Sequence, residues 1–325
     1  GGGAPTGNVN FSSNASGAIG PAALDVFGGD KSVVTGVHHT CALTPAGGVK
    51  CWGANYDGQL GTTTGSGTTV AYPSPTDVAG LSGVVSLASG ARHTCALTSG
   101  GGAKCWGWNR YGQLGNSTNN GSDNPNPTPT DVAGVSNAVA LAAGELHTCA
   151  LLQNGGVKCW GYNNYGELGN STGTGTSNAY PTPVDVAGLS GIVAVVAGGG
   201  HTCALTSVGG VKCWGYNEFG QLGNSTGNGT TTAFPVPSDV AGLSGVKALV
   251  AGNSHTCALS SAEAVSCWGY NFYGQLGNGA GTGTNNATPT PTVVVGLSGT
   301  VALTAVITFH TEAGKIWPSE VERFL

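Results

Sequence analysis

An all-β propeller is the fold that this 325-residue sequence predicts, on three observations. Ten cysteines fall in pairs ten residues apart: Cys41 and Cys51, Cys95 and Cys105, Cys149 and Cys159, Cys203 and Cys213, Cys257 and Cys267. These pairs recur every 54 residues, and His39, His93, His147, His201 and His255 keep the same period, as do Trp52, Trp106, Trp160, Trp214 and Trp268. Between them lie short β-branched or apolar runs bounded by Gly, Pro, Asn and Ser, with no amphipathic helix in residues 30–300. Units of fixed length with three or four short strands each read as propeller blades rather than as a helical solenoid.

Each unit is justified element by element. A first strand such as Val84-Val85-Ser86-Leu87-Ala88 precedes H-T-C-A-L, the second strand. A short glycine-containing turn leads to the third, A/V-K-C-W-G. A polar stretch follows, for example Gly169 to Pro181, which has no apolar period and reads as a surface loop. Pro21 to Gly36 aligns without gaps to Pro75 to Gly90, so the first unit carries its leading strand. At the other end, Val301 to His310 reads as a further strand, and Gly314-Lys315-Ile316-Trp317 imitates G-V-K-C-W without its cysteine. The expected organisation is an N-terminal extension over 1–20, five repeats over 21–299, and a degenerate last blade and tail over 300–325. Asn8-Val9-Asn10-Phe11 is a candidate closing or exchanged strand. Six blades are expected. The alternative is seven, with strands from outside this chain.

The run H-T-C-A-L-T, followed by G-V-K-C-W-G-x-N-x-x-G-Q-L-G-N, resembles the repeat of the regulator of chromosome condensation family over roughly residues 20–300. The resemblance implies a β-propeller, usually seven-bladed. Regular cysteine pairs depart from the nuclear members, so the likeness speaks for the fold and hardly for a chromatin role. An ultraviolet-sensing plant branch of the family uses tryptophans just before H-T. Here those positions hold Val37-His38, Ala91-Arg92, Glu145-Leu146, Gly199-Gly200 and Asn253-Ser254, so photoreception is not implied. The five periodic tryptophans belong to the general blade motif and are expected between blades.

A turn near residue 46 opposes Leu43 to Val49 and Cys41 to Cys51, and directly opposed cysteines on adjacent strands reach disulfide distance. Five disulfides within blades are therefore expected. Zinc bound by His39, Cys41 and Cys51 competes, but supplies three ligands where structural zinc takes four. Free buried thiols are the third reading. Disulfides imply an oxidising compartment, hence an extracellular or cell-surface location. Eight N-x-S/T sequons, at Asn10, Asn14, Asn116, Asn120, Asn170, Asn224, Asn228 and Asn286, fit that location. They also fit the mere abundance of Asn, Ser and Thr in these loops.

Glycine supplies 59 residues and charged residues only 8 %, with a net charge of -5. Ten Lys and Arg, scattered, cannot build the basic face that nucleic acid requires. No apolar run reaches the ~18 residues that span a bilayer. The sequence shows no cleavable signal peptide and no methionine, which reads as a processed or partial chain. Asp77, Asp131, Asp185 and Asp239 read as turn caps, the histidines as structural donors within each blade, and Lys50, Lys104, Lys158 and Lys212 as strand residues. No catalytic dyad, phosphate loop, cofactor or metal set is recognisable, so no enzyme activity is expected.

Differences between units mark a candidate surface. After W-G-x-N stand Tyr56, Arg110, Asn164, Glu218 and Phe272, and next to these Tyr111, Tyr165, Phe219 and Tyr273, with Asp57 as the exception. Tyr72, Asn126, Tyr180, Phe234 and Thr288 precede the loop proline. Exposed, such side chains stack on sugars or anchor a protein; the other reading packs each loop onto its own blade. Tyr56, Arg110, Tyr111, Tyr165, Phe219, Phe272 and Tyr273 are the candidate partner-binding residues. The expected function is a non-enzymatic structural or adhesive propeller, a subunit of a filament joined head to tail through terminal strands. A secreted protein- or glycan-binding module, such as an enzyme inhibitor, is the alternative.

Overall fold

The computed structural model describes residues 33–300 and 302–303. Twenty strands form five four-stranded antiparallel sheets, each a meander of consecutive strands. The first holds β1 (Val33–Thr35), β2 (His39–Leu43), β3 (Val49–Ala54) and β4 (Ala71–Asp77). The second holds β5 (Val84–Ser89), β6 (His93–Thr98), β7 (Ala103–Gly107) and β8 (Asn126–Asp131). The third holds β9 (Ala138–Ala143), β10 (His147–Leu152), β11 (Val157–Gly161) and β12 (Tyr180–Asp185). The fourth holds β13 (Ile192–Ala197), β14 (His201–Thr206), β15 (Val211–Gly215) and β16 (Phe234–Asp239). The fifth holds β17 (Val246–Ala251), β18 (His255–Ser260), β19 (Val265–Gly269) and β20 (Thr288–Val293). The first strands of successive sheets touch one another, so they surround the axis and the fourth strands form the rim. This is a propeller arrangement.

The central hairpin follows from its turn. Thr98 accepts from the Gly101 N–H and donates its own N–H to Gly102, while Gly101 takes φ 76°. Only a residue without a Cβ adopts that region freely. The hairpin register then opposes Cys95 to Cys105, and the same pairing holds in all five sheets. All ten cysteines form the five expected disulfides, with Cα atoms 4.1 Å apart in each, the narrow spacing of directly opposed residues.

The fourth strand corrects the sequence reading. The P-x-P-x-D segment, Asn126–Asp131 in the second unit, is a rim strand rather than the end of a loop. Proline removes a backbone donor, which hides the strand signal and restricts such a strand to an edge with one paired side. The recurring aspartates are accordingly not turn caps. Asp77, Asp131, Asp185 and Asp239 end these strands and pair with Lys50, Lys104, Lys158 and Lys212 at 2.7–2.9 Å. In the fifth unit both partners change together, with Ser266 opposite Val293.

The core lies between sheets. Cys41, Cys51, Leu60 and Val78 of the first unit pack with Leu87, Ala96 and Trp106 of the second. The same cluster recurs at the next three joints, each closed by a fully buried tryptophan. Leu303 packs on Leu259, Val265, Cys267 and Leu276 of the fifth sheet, as Leu249 packs on the fourth. The closing strand at Asn8–Phe11, the extension over 1–20 and the body of the degenerate blade lie outside the described residues. Among the described residues, no helix is long and apolar enough to cross a membrane.

Candidate functional site

Among the described residues, the joints from the second sheet to the fifth are held by one hydrogen-bond relay each. The Nε2 of His93 meets the Thr148 hydroxyl at 2.9 Å, and that hydroxyl donates to the Gln113 carbonyl, also at 2.9 Å. The Trp160 Nε1–H donates to the same carbonyl at 3.0 Å. Because the threonine proton is already committed, Nε2 carries the imidazole proton. His147 with Thr202 and His201 with Thr256 repeat the relay. His39, His93, His147 and His201 therefore tie each blade to the next, where the sequence reading kept the histidines within their own blades. Burial drives the proton affinity of His93 and His201 down to about 3 and of His147 and His39 to about 4, so the rings are neutral at physiological pH. Gly90 leaves room for the ring, since a Cβ there would lie 2.2 Å from His93 Cε1. The zinc alternative falls because His39 Nε2 faces the Thr94 and Ser89 hydroxyls and both thiols are oxidised.

Above the relay, the W-G-x-N-x-x-G-Q-L-G turn organises itself. The Asn109 amide donates to the Asn116 and Thr118 carbonyls, and its oxygen accepts from the Leu114 N–H. The Gln113 side chain accepts from the Tyr111 N–H. Asn116 and Asn224 use their side-chain nitrogens on Thr130 and Ser238, so these sequon residues shape the loop. Asn286 is exposed.

The turns bring the candidate residues onto one face, but not as seven free side chains. Tyr111 and Tyr165 are buried, at 6 % and 5 % exposure. Each packs on a ring of the next blade: Tyr111 on Tyr162 at 4.7 Å, Tyr165 on Tyr216 at 4.4 Å, and half-buried Phe219 on Tyr270 at 4.6 Å. Tyr273 is 44 % exposed and touches Phe272 and Tyr270. Arg110 pairs with Asp123 at 2.6 Å within its own loop. Half-buried Tyr56 lies under the Arg92 guanidinium. Glycines 65, 173 and 227 fold over Tyr72, Tyr180 and Phe234, which pack each loop onto its own blade.

The residues between W-G and N, namely Trp108, Tyr162, Tyr216 and Tyr270, were missed, although they repeat visibly in every unit but the first, where Ala54 stands. Arg92 was passed over as well. It grips Asp57 through two hydrogen bonds of 2.6 and 2.9 Å and lies 4.5 Å from the centroid of Trp108. Burial raises the Asp57 carboxyl to about 6, and Arg92 counteracts part of that rise. Glu167 takes the place of glutamine in the third unit. It is buried, its Oε2 accepts from the Tyr165 N–H, and Oε1 has no partner among the described residues. Burial holds this carboxyl well above its usual range.

Known proteins place this geometry. The RCC1-like domain model matches residues 20–315. The chain belongs to the RCC1-like domain family. It is 32 % identical over 297 residues to the ultraviolet-B receptor UVR8 of Arabidopsis thaliana, covering 90 % of this chain and 65 % of that protein. It is also 32 % identical over 260 residues to the human E3 ubiquitin-protein ligase HERC2, covering 78 % of this chain and 5 % of that protein. The chain thus spans less than two thirds of these curated relatives. Among solved structures, yeast RCC1 (Prp20) bound to Kap60 aligns with a TM-score of 0.72 at 26 % identity, over 85 % of this chain and 65 % of that one. Human WBSCR16 aligns with a TM-score of 0.71 at 26 % identity, over 85 % and 69 %. This RCC1-like chain departs from a plain propeller in its buried disulfide ladder.

Proposed function

We propose that this RCC1-like propeller is a non-enzymatic, extracytosolic scaffold that presents its turn face to a protein partner. One observation carries the reading. The turns of five successive blades set an arc of rings and charges on the same face, buried between blades at Trp108, Tyr111, Tyr162 and Tyr165 and reaching the surface at half-buried Tyr56 with Arg92 and at exposed Tyr273. Aromatic and arginine side chains dominate binding energy at protein interfaces. The yeast relative was solved with Kap60 bound, which supports a partner-binding role for the fold. Five buried disulfides support an oxidising compartment, at the cell surface or outside the cell. Cross-linking mass spectrometry at the native source tests the face: cross-links concentrate on residues 55–68, 109–122, 163–176, 217–230 and 271–284. Cross-links confined to the rim strands would overturn the reading.

A second reading is the structural or adhesive filament. It rests on the joints being alike, so the fifth sheet offers a next blade the same half-joint whether that blade belongs to this chain or to another copy. Sedimentation of the full chain and of a variant lacking residues 1–20 separates the two. Polymer lost on deletion supports the filament, and a monomer at high concentration removes it.

A further inference from the structure

Three sequons are identical in sequence and in place. Asn116-Ser117-Thr118, Asn170-Ser171-Thr172 and Asn224-Ser225-Thr226 follow the L-G of the turn in the second, third and fourth units. In each, the asparagine oxygen accepts from the N–H of the threonine two residues on. It also accepts from the side-chain amide of the turn asparagine, Asn109, Asn163 or Asn217. The three threonines are exposed.

The side-chain nitrogens differ. Asn116 Nδ2 donates to the Thr130 hydroxyl at 2.8 Å, and Asn224 Nδ2 to the Ser238 hydroxyl at 2.9 Å. Both acceptors stand on the rim strand opposite the second cysteine of their unit. Asn278 of the fifth unit, which begins no sequon, does the same with Thr292 at 3.1 Å. In the third unit the rim residue opposite Cys159 is Val184, which offers no acceptor. Asn170 Nδ2 accordingly makes no hydrogen bond within the protein and meets solvent.

An N-x-S/T acceptor presents two groups to a transferase, the amide nitrogen and the hydroxyl two residues on. At Asn170 both are free, because the Thr172 hydroxyl has no partner in the protein either. At Asn120 and Asn228 the hydroxyls of Ser122 and Thr230 donate to the Asn119 and Gly227 carbonyls at 2.9 and 2.7 Å. At Asn286 the third residue, Thr288, is fixed as the first residue of β20. Asn10 and Asn14 lie outside the described residues.

We propose that Asn170 is the N-glycosylation site of the folded chain, selected among its identical neighbours by Val184. The site rests on the extracytosolic part of the reading above. Its donor is a lipid-linked phospho-oligosaccharide. Asn170 Nδ2 bonds to the anomeric carbon, the bond from that carbon to the phosphate oxygen breaks with its electron pair leaving on the lipid phosphate, and the nitrogen gives up one of its two protons to a carboxylate of the transferase. A nitrogen held by a rim hydroxyl must first release that bond.

The test maps the full chain from its native source by mass spectrometry without reduction. It also treats the folded, oxidised chain with a single-subunit oligosaccharyltransferase and its lipid-linked donor. Native Asn170 carries a glycan, and native Asn116 and Asn224 are bare. In the transferase reaction Asn170 is modified at least about fivefold faster than either, the factor that one retained hydrogen bond imposes. Val184→Thr restores the rim hydroxyl and brings Asn170 down to their rate, while Thr130→Val raises Asn116 to that of Asn170. The reduced, unfolded chain is modified equally at all three. Equal rates in the folded chain, the same preference in the unfolded chain, no change in Val184→Thr, or a native chain with its disulfides formed and a bare Asn170 would each overturn the site. A native chain with free thiols would instead remove the extracytosolic reading and leave the transferase result standing, so the two fail separately.

Discussion

His147, Thr202, Glu167 and Trp214 show how one joint depends on single atoms. The Thr202 hydroxyl accepts from His147 and donates to the Glu167 carbonyl, to which the Trp214 Nε1–H also donates at 2.9 Å. Thr202→Val keeps the shape and removes both bonds, leaving a buried imidazole N–H without an acceptor. The cost is about 1–3 kcal/mol. Denaturant unfolding measures it, and Thr202→Ser, which keeps the hydroxyl, recovers most of the loss. Stability unchanged in Thr202→Val would mean that the relay is ornamental.

Among the elements, the central hairpins are nearly identical, and the fifth supplies a natural exception. Gly47, Gly101, Gly155 and Gly209 close the first four at φ 75–78°, whereas Glu263 closes the fifth at φ 63°. A side chain in the left-handed region is disfavoured, so Glu263→Gly stabilises the chain by up to about 1 kcal/mol. Thermal unfolding reads the gain, and a lower melting temperature would contradict it. The hairpin itself was legible in the sequence, because the distance from Cys95 to Cys105 and the glycine turn together allow one register. The rim strands were not. Their prolines suppress the alternation that marks a strand, and Asp131 opposite Lys104 becomes meaningful only once that strand is paired.

At the scale of the molecule, repetition multiplies small effects. His39, His93, His147 and His201 have proton affinities depressed from the ordinary 6.5 to about 3–4. Between those values and 6.5 the unfolded chain binds more protons than the folded one. Stability is therefore full above pH 6.5 and falls as pH drops. Each histidine contributes a slope of about 1.4 kcal/mol per pH unit. Asp57, raised to about 6, and Glu167, also raised, act in the opposite direction, but the four histidines outnumber them. Denaturant midpoints from pH 7 to pH 4 should fall steadily, and a flat profile would refute neutral buried histidines. Disulfides set the other global term. Each closes a short loop and contributes roughly 2–4 kcal/mol, mainly by restricting the unfolded chain. Intact mass of the unreduced protein should show five disulfides and no free thiol, and reduction should lower the melting temperature steeply.

The sequence by itself determined the repeat, the hairpin register and the cysteine pairing. The hairpin contacts span fourteen residues or fewer, so strand alternation and turn length fix them without reference to the rest of the molecule. Tertiary structure alone decided what each side chain meets across a joint. His93 reaches a threonine 55 residues away, Trp160 a carbonyl 47 away and Arg92 an aspartate 35 away. A period of 54 announces that these residues share a place in every blade, but the rotation between blades selects their neighbours.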